Sequence, residues 1–189
     1  MASPPCPLAL IRHPQPAIAA GLCYGRLDIG LTTAGHAAIT PIIAQLAGHP
    51  ASIVLTSPAQ RCRILAEALG AARGIPVETD PRLQELDFGA WEGVAWNDVP
   101  RAALDAWAAS PETFAPPGGE SGAALLARVT AAYHDCLIRA RPAIIVSHGG
   151  PLRLLLALAN GTRPDLLTPA PPLGSITLIA DPARSMPAG

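Results

Sequence analysis

The sequence contains no lysine; all 13 of its basic residues are arginine. That absence excludes Schiff-base chemistry and the phosphate-holding lysine of a P-loop. Any phosphate bound here must be held by arginine and histidine. Charge is scarce as well. Only 14% of residues are charged and the net charge is −1, whereas an average soluble domain carries about 25% charged residues. With no basic run, the chain has little electrostatic footprint for nucleic acid or an anionic membrane, and neither partner is expected. No apolar stretch approaches the ~18 residues of a membrane helix; Arg153 interrupts the best candidate, Pro151 to Ala159. The first residues lack a basic n-region, so no signal peptide is expected. The four cysteines, Cys6, Cys23, Cys62 and Cys136, contain no CxxC pair. They are expected to be reduced, buried, small apolar residues in a cytoplasmic compartment.

Half of the 189 residues are hydrophobic, enough for a sizeable core, and a single domain is expected. Three apolar runs read as strands buried on both faces: Leu8 to Ile11, Ser52 to Thr56 and Ala143 to Ser147. Ser175 to Ile179 and Val77 to Thr79 read as two more. Helices are predicted between them. Thr33 to Ala47 has helical spacing, with Thr33 as N-cap and Pro41 inside it. Ala59 to Leu69 ends at Gly70, a natural stop. Val99 to Ala109, Ser121 to Arg139 and Pro151 to Ala159 complete the set, with Ser121 capping its helix. Ser110 to Gly119 reads as a loop. Strands alternating with helices predict an α/β three-layer sandwich, with a mostly parallel sheet and helices on both faces.

The chemistry sits where the strands end. Arg12-His13 follows the first, Ser57 and then Arg61 follow the second, and His148-Gly149-Gly150 follows Ala143 to Ser147. Open α/β sheets bind ligands outside the carboxyl ends of their strands. Two histidines and two arginines are therefore delivered to one edge. Arginine forks match phosphate oxygens, a histidine can attack phosphorus, and two glycines opening a helix offer N–H groups to an anion. A zinc site would want HExxH or a third ligand, so no metal and no cofactor are expected. The first strand is not followed by GxGxxG, which excludes a dinucleotide-binding fold.

Five segments carry a resemblance: Leu10-Ile11-Arg12-His13; Thr56-Ser57-Pro58-Ala59-Gln60-Arg61-Cys62; Glu85 with Leu86-Asp87-Phe88-Gly89-Ala90-Trp91-Glu92-Gly93; Pro117-Gly118-Gly119-Glu120-Ser121; and Val146-Ser147-His148-Gly149-Gly150. Together they resemble the histidine phosphatase superfamily, in the branch of cofactor-dependent phosphoglycerate mutase. The resemblance covers nearly the whole chain and implies one histidine phosphatase domain over residues 1–189. It implies His13 as the phosphorylated nucleophile, with Arg12, Arg61 and His148 around the phosphoryl oxygens. Glu85 is implied as the proton donor to the leaving oxygen. Pro14 stands where the family has glycine, removing a backbone donor and disfavouring the α region at His13.

The chain is short and lysine-free, unlike the mutases with their basic insertion, and the Trp91-to-Trp96 stretch resembles phosphatases. Gly21 to Asp28 is similar to the corresponding segment of α-ribazole-5'-phosphate phosphatases of cobalamin assembly. By that similarity Tyr24, Gly25 and Arg26, with Gly149, are the substrate-binding candidates. The expected function is a metal-independent phosphomonoesterase acting through phosphohistidine on a small metabolite, with α-ribazole 5'-phosphate as one substrate to consider. The alternatives are mutase-type phosphoryl transfer and an inert phosphate-binding regulatory module. The oligomeric state, monomer or homodimer, is left open. In bland readings, His36, His49 and His134 are surface residues, the tryptophans are packing anchors, and Arg61 pairs with Glu67 or Asp87.

Overall fold

The structure is a computed structural model, and it describes residues 6–180 and 182. Five strands form one sheet: β1 (Leu8–Arg12), β2 (Ile53–Thr56), β3 (Val77–Thr79), β4 (Ala143–Ser147) and β5 (Ile176–Ile179). Their spatial order is β3-β2-β4-β1-β5. The first four are mutually parallel, and β5 runs antiparallel along β1. Strands β1, β2 and β4 are the apolar runs read from the sequence, and they are the buried centre of the sheet.

Alternation along these strands builds two cores. Leu8, Leu10, Ile53, Leu55 and Ile145 face one side. There they pack with Leu125, Val129 and Tyr133 of α5 (Gly122–Arg139) and Leu152 and Leu155 of α6 (Gly149–Ala159). Ala9, Ile11, Val54, Ile144 and Val146 face the other. Their partners are Ile42 of α2 (Ile39–Gln45) and Leu65 and Leu69 of α3 (Gln60–Arg73). Two helical layers therefore cover the sheet, as expected.

Several helix boundaries differ from the sequence reading. The helix expected over Thr33 to Ala47 is two pieces, α1 (Thr33–Ala37) and α2, and its N-cap is Thr32, whose side chain accepts from the Gly35 N–H. Restarting at Ile39 puts Pro41 in a first turn, where its missing N–H costs nothing. Gly70 does not end α3. A Cβ there would lie 2.4 Å from Val77 Cγ2, so glycine is needed for close approach to β3. The stop is Gly74, in the left-handed region at φ 65°. Helix α4 (Arg101–Ala109) begins after Val99-Pro100, and α6 begins two residues before Pro151. Ser121 caps α5 as expected, accepting from the Ala124 N–H.

Candidate active site

The carboxyl ends of β1, β4 and β2 lie side by side, and each delivers part of one cluster. The His13 and His148 rings meet edge to face with centroids 5.2 Å apart. Both are buried, at 1% exposure. The His13 N–H is held by the Ser147 carbonyl at 3.0 Å, so the residue continues the β1 ladder. Its Nδ1 lies 2.8 Å from the Pro14 carbonyl. A carbonyl only accepts, so Nδ1 carries the proton and Nε2 keeps its lone pair. Burial, with Arg61 and Arg12 adding repulsion, pushes the His13 pKa down to about 3. His148 is pushed well below the usual histidine range, again by burial first and then by Arg61, His13 and Arg12. Both rings are neutral near pH 7.

Arg61 rises from the first turn of α3 and is fully buried. It pairs with neither Glu67, which pairs with Arg63, nor Asp87, which faces Arg26. Its Nη1 donates to the Leu27 carbonyl at 2.8 Å and its Nη2 to the Gly25 carbonyl at 2.6 Å. Its Nε is buried without a partner, as is the Nε of Arg12. Arg12 donates from Nη1 to the Pro171 carbonyl at 2.7 Å. Among the described residues neither guanidinium has a carboxylate within ion-pair distance. Leaving such charges uncompensated costs several kcal/mol. An anion bound here would supply the missing negative charge.

Glu85 reaches the same edge from the turn after β3. Its carboxylate accepts from the Leu86 N–H at 3.0 Å and the Gly150 N–H at 3.1 Å, so it sits on the N-terminus of α6. A Cβ at residue 150 would lie 2.2 Å from Glu85 Oε1, and one at residue 149 would lie 3.3 Å from Arg12 Cζ. The two glycines let both side chains approach the helix end. Glu85 and His148 border one cavity of about 210 Å³ that Gly25, Arg26 and Asp28 also line.

The substrate-binding candidates are placed less simply. The Tyr24 ring lies over the Arg61 guanidinium, 5.3 Å from centroid to Cζ, so that face stacks on the protein's own cation. Gly25 is buried, and a Cβ there would lie 1.9 Å from the Leu86 carbonyl oxygen. Arg26 is exposed and lines the cavity, but Glu120 at 3.5 Å and Asp87 at 3.9 Å offset its charge. Gly149 opens α6 against Arg12.

Sequence reasoning missed the residues that hold the others. Glu92 accepts four backbone N–H groups, from Gly25 (2.9 Å), Arg26 (2.8 Å), Leu27 (3.0 Å) and Phe88 (3.1 Å). It thereby fixes the loop whose carbonyls grip Arg61. Arg128 of α5 donates to the carbonyls of Arg82 (2.7 Å), Gln84 (2.6 Å) and Glu85 (3.0 Å), and it pairs with Glu120. Ser57 Oγ lies 2.7 Å from His148 Nε2, and Cys62 Sγ lies 3.5 Å from the same nitrogen. All four cysteines are buried as expected, and Cys62, packed in the core, also touches His148. His36 and His134 are exposed as expected. His49 is not; it is half-buried by Arg73, and its ring nitrogens have no partner. Trp91 is buried in a small aromatic cluster with Trp96, Trp107 and Phe88.

Residues 8–180 match the model of the histidine phosphatase superfamily, branch 1. The chain belongs to that family and is, by class, a phosphatase. It is 31% identical over 170 residues to the glucosyl-3-phosphoglycerate phosphatase of Mycolicibacterium vanbaalenii, covering 84% of this chain and 76% of that one. The α-ribazole phosphatase of Shigella flexneri superposes with a TM-score of 0.81 at 27% identity, over 91% of this chain and 89% of that chain. YhfR of Bacillus stearothermophilus gives 0.82 at 28% identity, over 92% and 90%. The sheet order and helical layers are those of this phosphoglycerate mutase-like fold. Among the described residues no helix is long and apolar enough to cross a membrane, and no three His, Cys, Asp or Glu side chains are grouped to hold a metal ion.

Proposed function

We propose that the chain is a metal-independent phosphomonoesterase that works through a phosphohistidine at His13. The observation that carries this reading is the fully buried Arg61 and half-buried Arg12 guanidinium groups, each with a buried Nε lacking a partner and neither with a carboxylate partner, flanking a neutral histidine whose Nε2 is free. A bound phosphoryl group supplies the missing negative charge, and Arg12, Arg61 and His148 surround its equatorial oxygens. His13 Nε2 forms a bond to phosphorus as the P–O bond to the alcohol breaks. The Nδ1–H bond to Pro14 stabilises the positive charge that develops on the ring. Glu85 gives its proton to the departing oxygen. It then takes a proton from the water that attacks phosphohistidine, which releases inorganic phosphate and restores both residues. Two arginines at the centre repel a metal ion.

The mutase and inert-binder readings are weaker. A pure binder has no use for a carboxylate beside the leaving oxygen, and the chain lacks a basic insertion. The substrate is a small phosphomonoester. The Gly21-to-Asp28 segment and the likeness to α-ribazole phosphatase support α-ribazole 5'-phosphate; the likeness to glucosyl-3-phosphoglycerate phosphatase supports a glucosylated phosphoglycerate. The test is a panel of such esters assayed in EDTA, with acid quenching after brief exposure to labelled substrate. Turnover in chelator and acid-labile label on His13, absent in His13→Ala, are expected. Label on serine or cysteine, or activity that returns only with added metal, overturns the mechanism.

A further inference from the structure

Glu85 borders two cavities. One is the cavity it shares with His148; the other, of about 90 Å³, lies between Glu85, Phe88, Trp107, Leu125, Arg153 and Leu166. At roughly 30 Å³ per water, the second cavity has room for one aromatic ring or a fragment of that size. Its walls are mostly apolar, with Glu85 and Arg153 as the charged groups among them. Phe88 and Trp107 meet edge to face at 6.3 Å, and Leu125 belongs to the main core.

Its one cation is Arg153. Arg153 is half-buried and donates to the Leu166 and Gly149 carbonyls. Among the described residues, no carboxylate lies within 4.0 Å of it. Burial lowers its pKa, with Arg12 adding to the shift and Glu85 and Asp165 opposing it. The first cavity differs. Arg26 there already faces Glu120 and Asp87, and Asp28 adds a further carboxylate.

This contrast matters because a general acid must touch the ester oxygen. With the phosphoryl group among Arg12, Arg61 and His148, the alcohol beyond that oxygen must pass on one side of Glu85 or the other. The first route leads an anionic alcohol past Asp28 and an Arg26 whose charge Glu120 and Asp87 already offset. The second leads it over Phe88, Trp107 and Leu125 to Arg153, which forms no ion pair among the described residues.

We propose that the cavity between Trp107 and Arg153 takes the alcohol portion of the substrate and selects leaving groups with a compact apolar body and an anionic end that meets Arg153. This rests on the phosphatase reading above. It ranks carboxylate-bearing phosphate esters above the uncharged nucleoside of α-ribazole 5'-phosphate.

A matched pair of esters tests it: 4-(phosphooxymethyl)benzoate and its carboxamide, with p-nitrophenyl phosphate as reference. Both benzyl esters release a poor alkoxide, so both engage Glu85, and they differ only in the distal charge. The readout is the ratio of kcat/KM for carboxylate over carboxamide, which cancels general losses of activity. A ratio of about ten, carried by KM, is expected of the wild-type protein from one charge-assisted contact. Arg153→Gln should bring it to about one, Arg153→Lys should keep part of it, and Arg26→Gln should leave it or raise it. A wild-type ratio of one or below overturns the proposal before any variant is made. So does a preference that survives Arg153→Gln or disappears in Arg26→Gln. If p-nitrophenyl phosphate is hydrolysed without the preference, only this inference falls. If none of the three esters is hydrolysed, the phosphatase reading falls and the inference with it.

Discussion

His13 donates its Nδ1–H to the carbonyl of Pro14 at 2.8 Å. The residue that departs from the family's glycine lacks an N–H, yet the group used here is its carbonyl, which proline keeps. The extended backbone that proline imposes on His13 agrees with the bond from the His13 N–H to Ser147. Pro14→Gly should therefore change kcat/KM less than threefold. It should lower stability by roughly 0.4–1 kcal/mol, through a freer unfolded chain. Steady-state assay and urea unfolding check both, and a tenfold loss of activity would show that the ring itself holds the site.

Arg61 is a buried charge that folding must accommodate without a counterion. Arg61→Met keeps much of the side-chain volume and removes the charge. Its thermal midpoint should equal or exceed that of the parent, while turnover falls roughly 10²–10³-fold, the scale of one preorganised charge-stabilising donor. A loss under threefold would place Arg61 outside the chemistry.

The histidine pair ties stability to acid. An unfolded histidine titrates near 6.5, and folded His13 does so at about 3. Between those values the unfolded chain holds more protons. The stability from keeping His13 neutral is thus complete above about pH 6.5 and drains away as pH falls toward 3. His148, also lowered, acts with the same sign. The thermal midpoint should drop between pH 7.5 and pH 5.5, and inorganic phosphate should recover part of the drop by binding only the folded form. A midpoint flat across this range contradicts the assignment.

Glu85 as the acid predicts a leaving-group effect. Glu85→Gln keeps the size but cannot give up a proton. In rapid-quench measurement of the first half-reaction, an alkyl phosphate should slow by roughly 10²–10⁴ and p-nitrophenyl phosphate far less. Equal slowing would move the role to Asp87, tested by the same comparison in Asp87→Asn.

The central strands were legible because burial on both faces leaves an unbroken apolar run, as in Ala143 to Ser147. The meeting of Arg12, His13, Arg61 and His148 at one edge followed from those runs and one topological rule. Glu85 needed more: it lies in a turn without periodicity, and only its motif picked it out. What stayed hidden depends on contacts distant in sequence. Gly70 reads as a helix stop until Val77 is seen against it. Glu92 lies inside one of the family-like segments, but its role is invisible in the sequence because its four N–H partners lie mostly on a loop more than sixty residues away. Arg128 and Cys62 are unreadable for the same reason.

Arg61 and Glu92 grip the 25–27 loop only by main-chain atoms, the one through carbonyls and the other through N–H groups. Every residue type offers that carbonyl, and every type but proline that N–H. The side chain at position 26 is thereby uncoupled from the placing of the guanidinium, while Gly25 is not, since a Cβ there has no room. Selection can rewrite the surface at such a position without displacing the Arg61 guanidinium beneath it. One scaffold can in this way diverge toward new esters by single steps, each passing through a working enzyme.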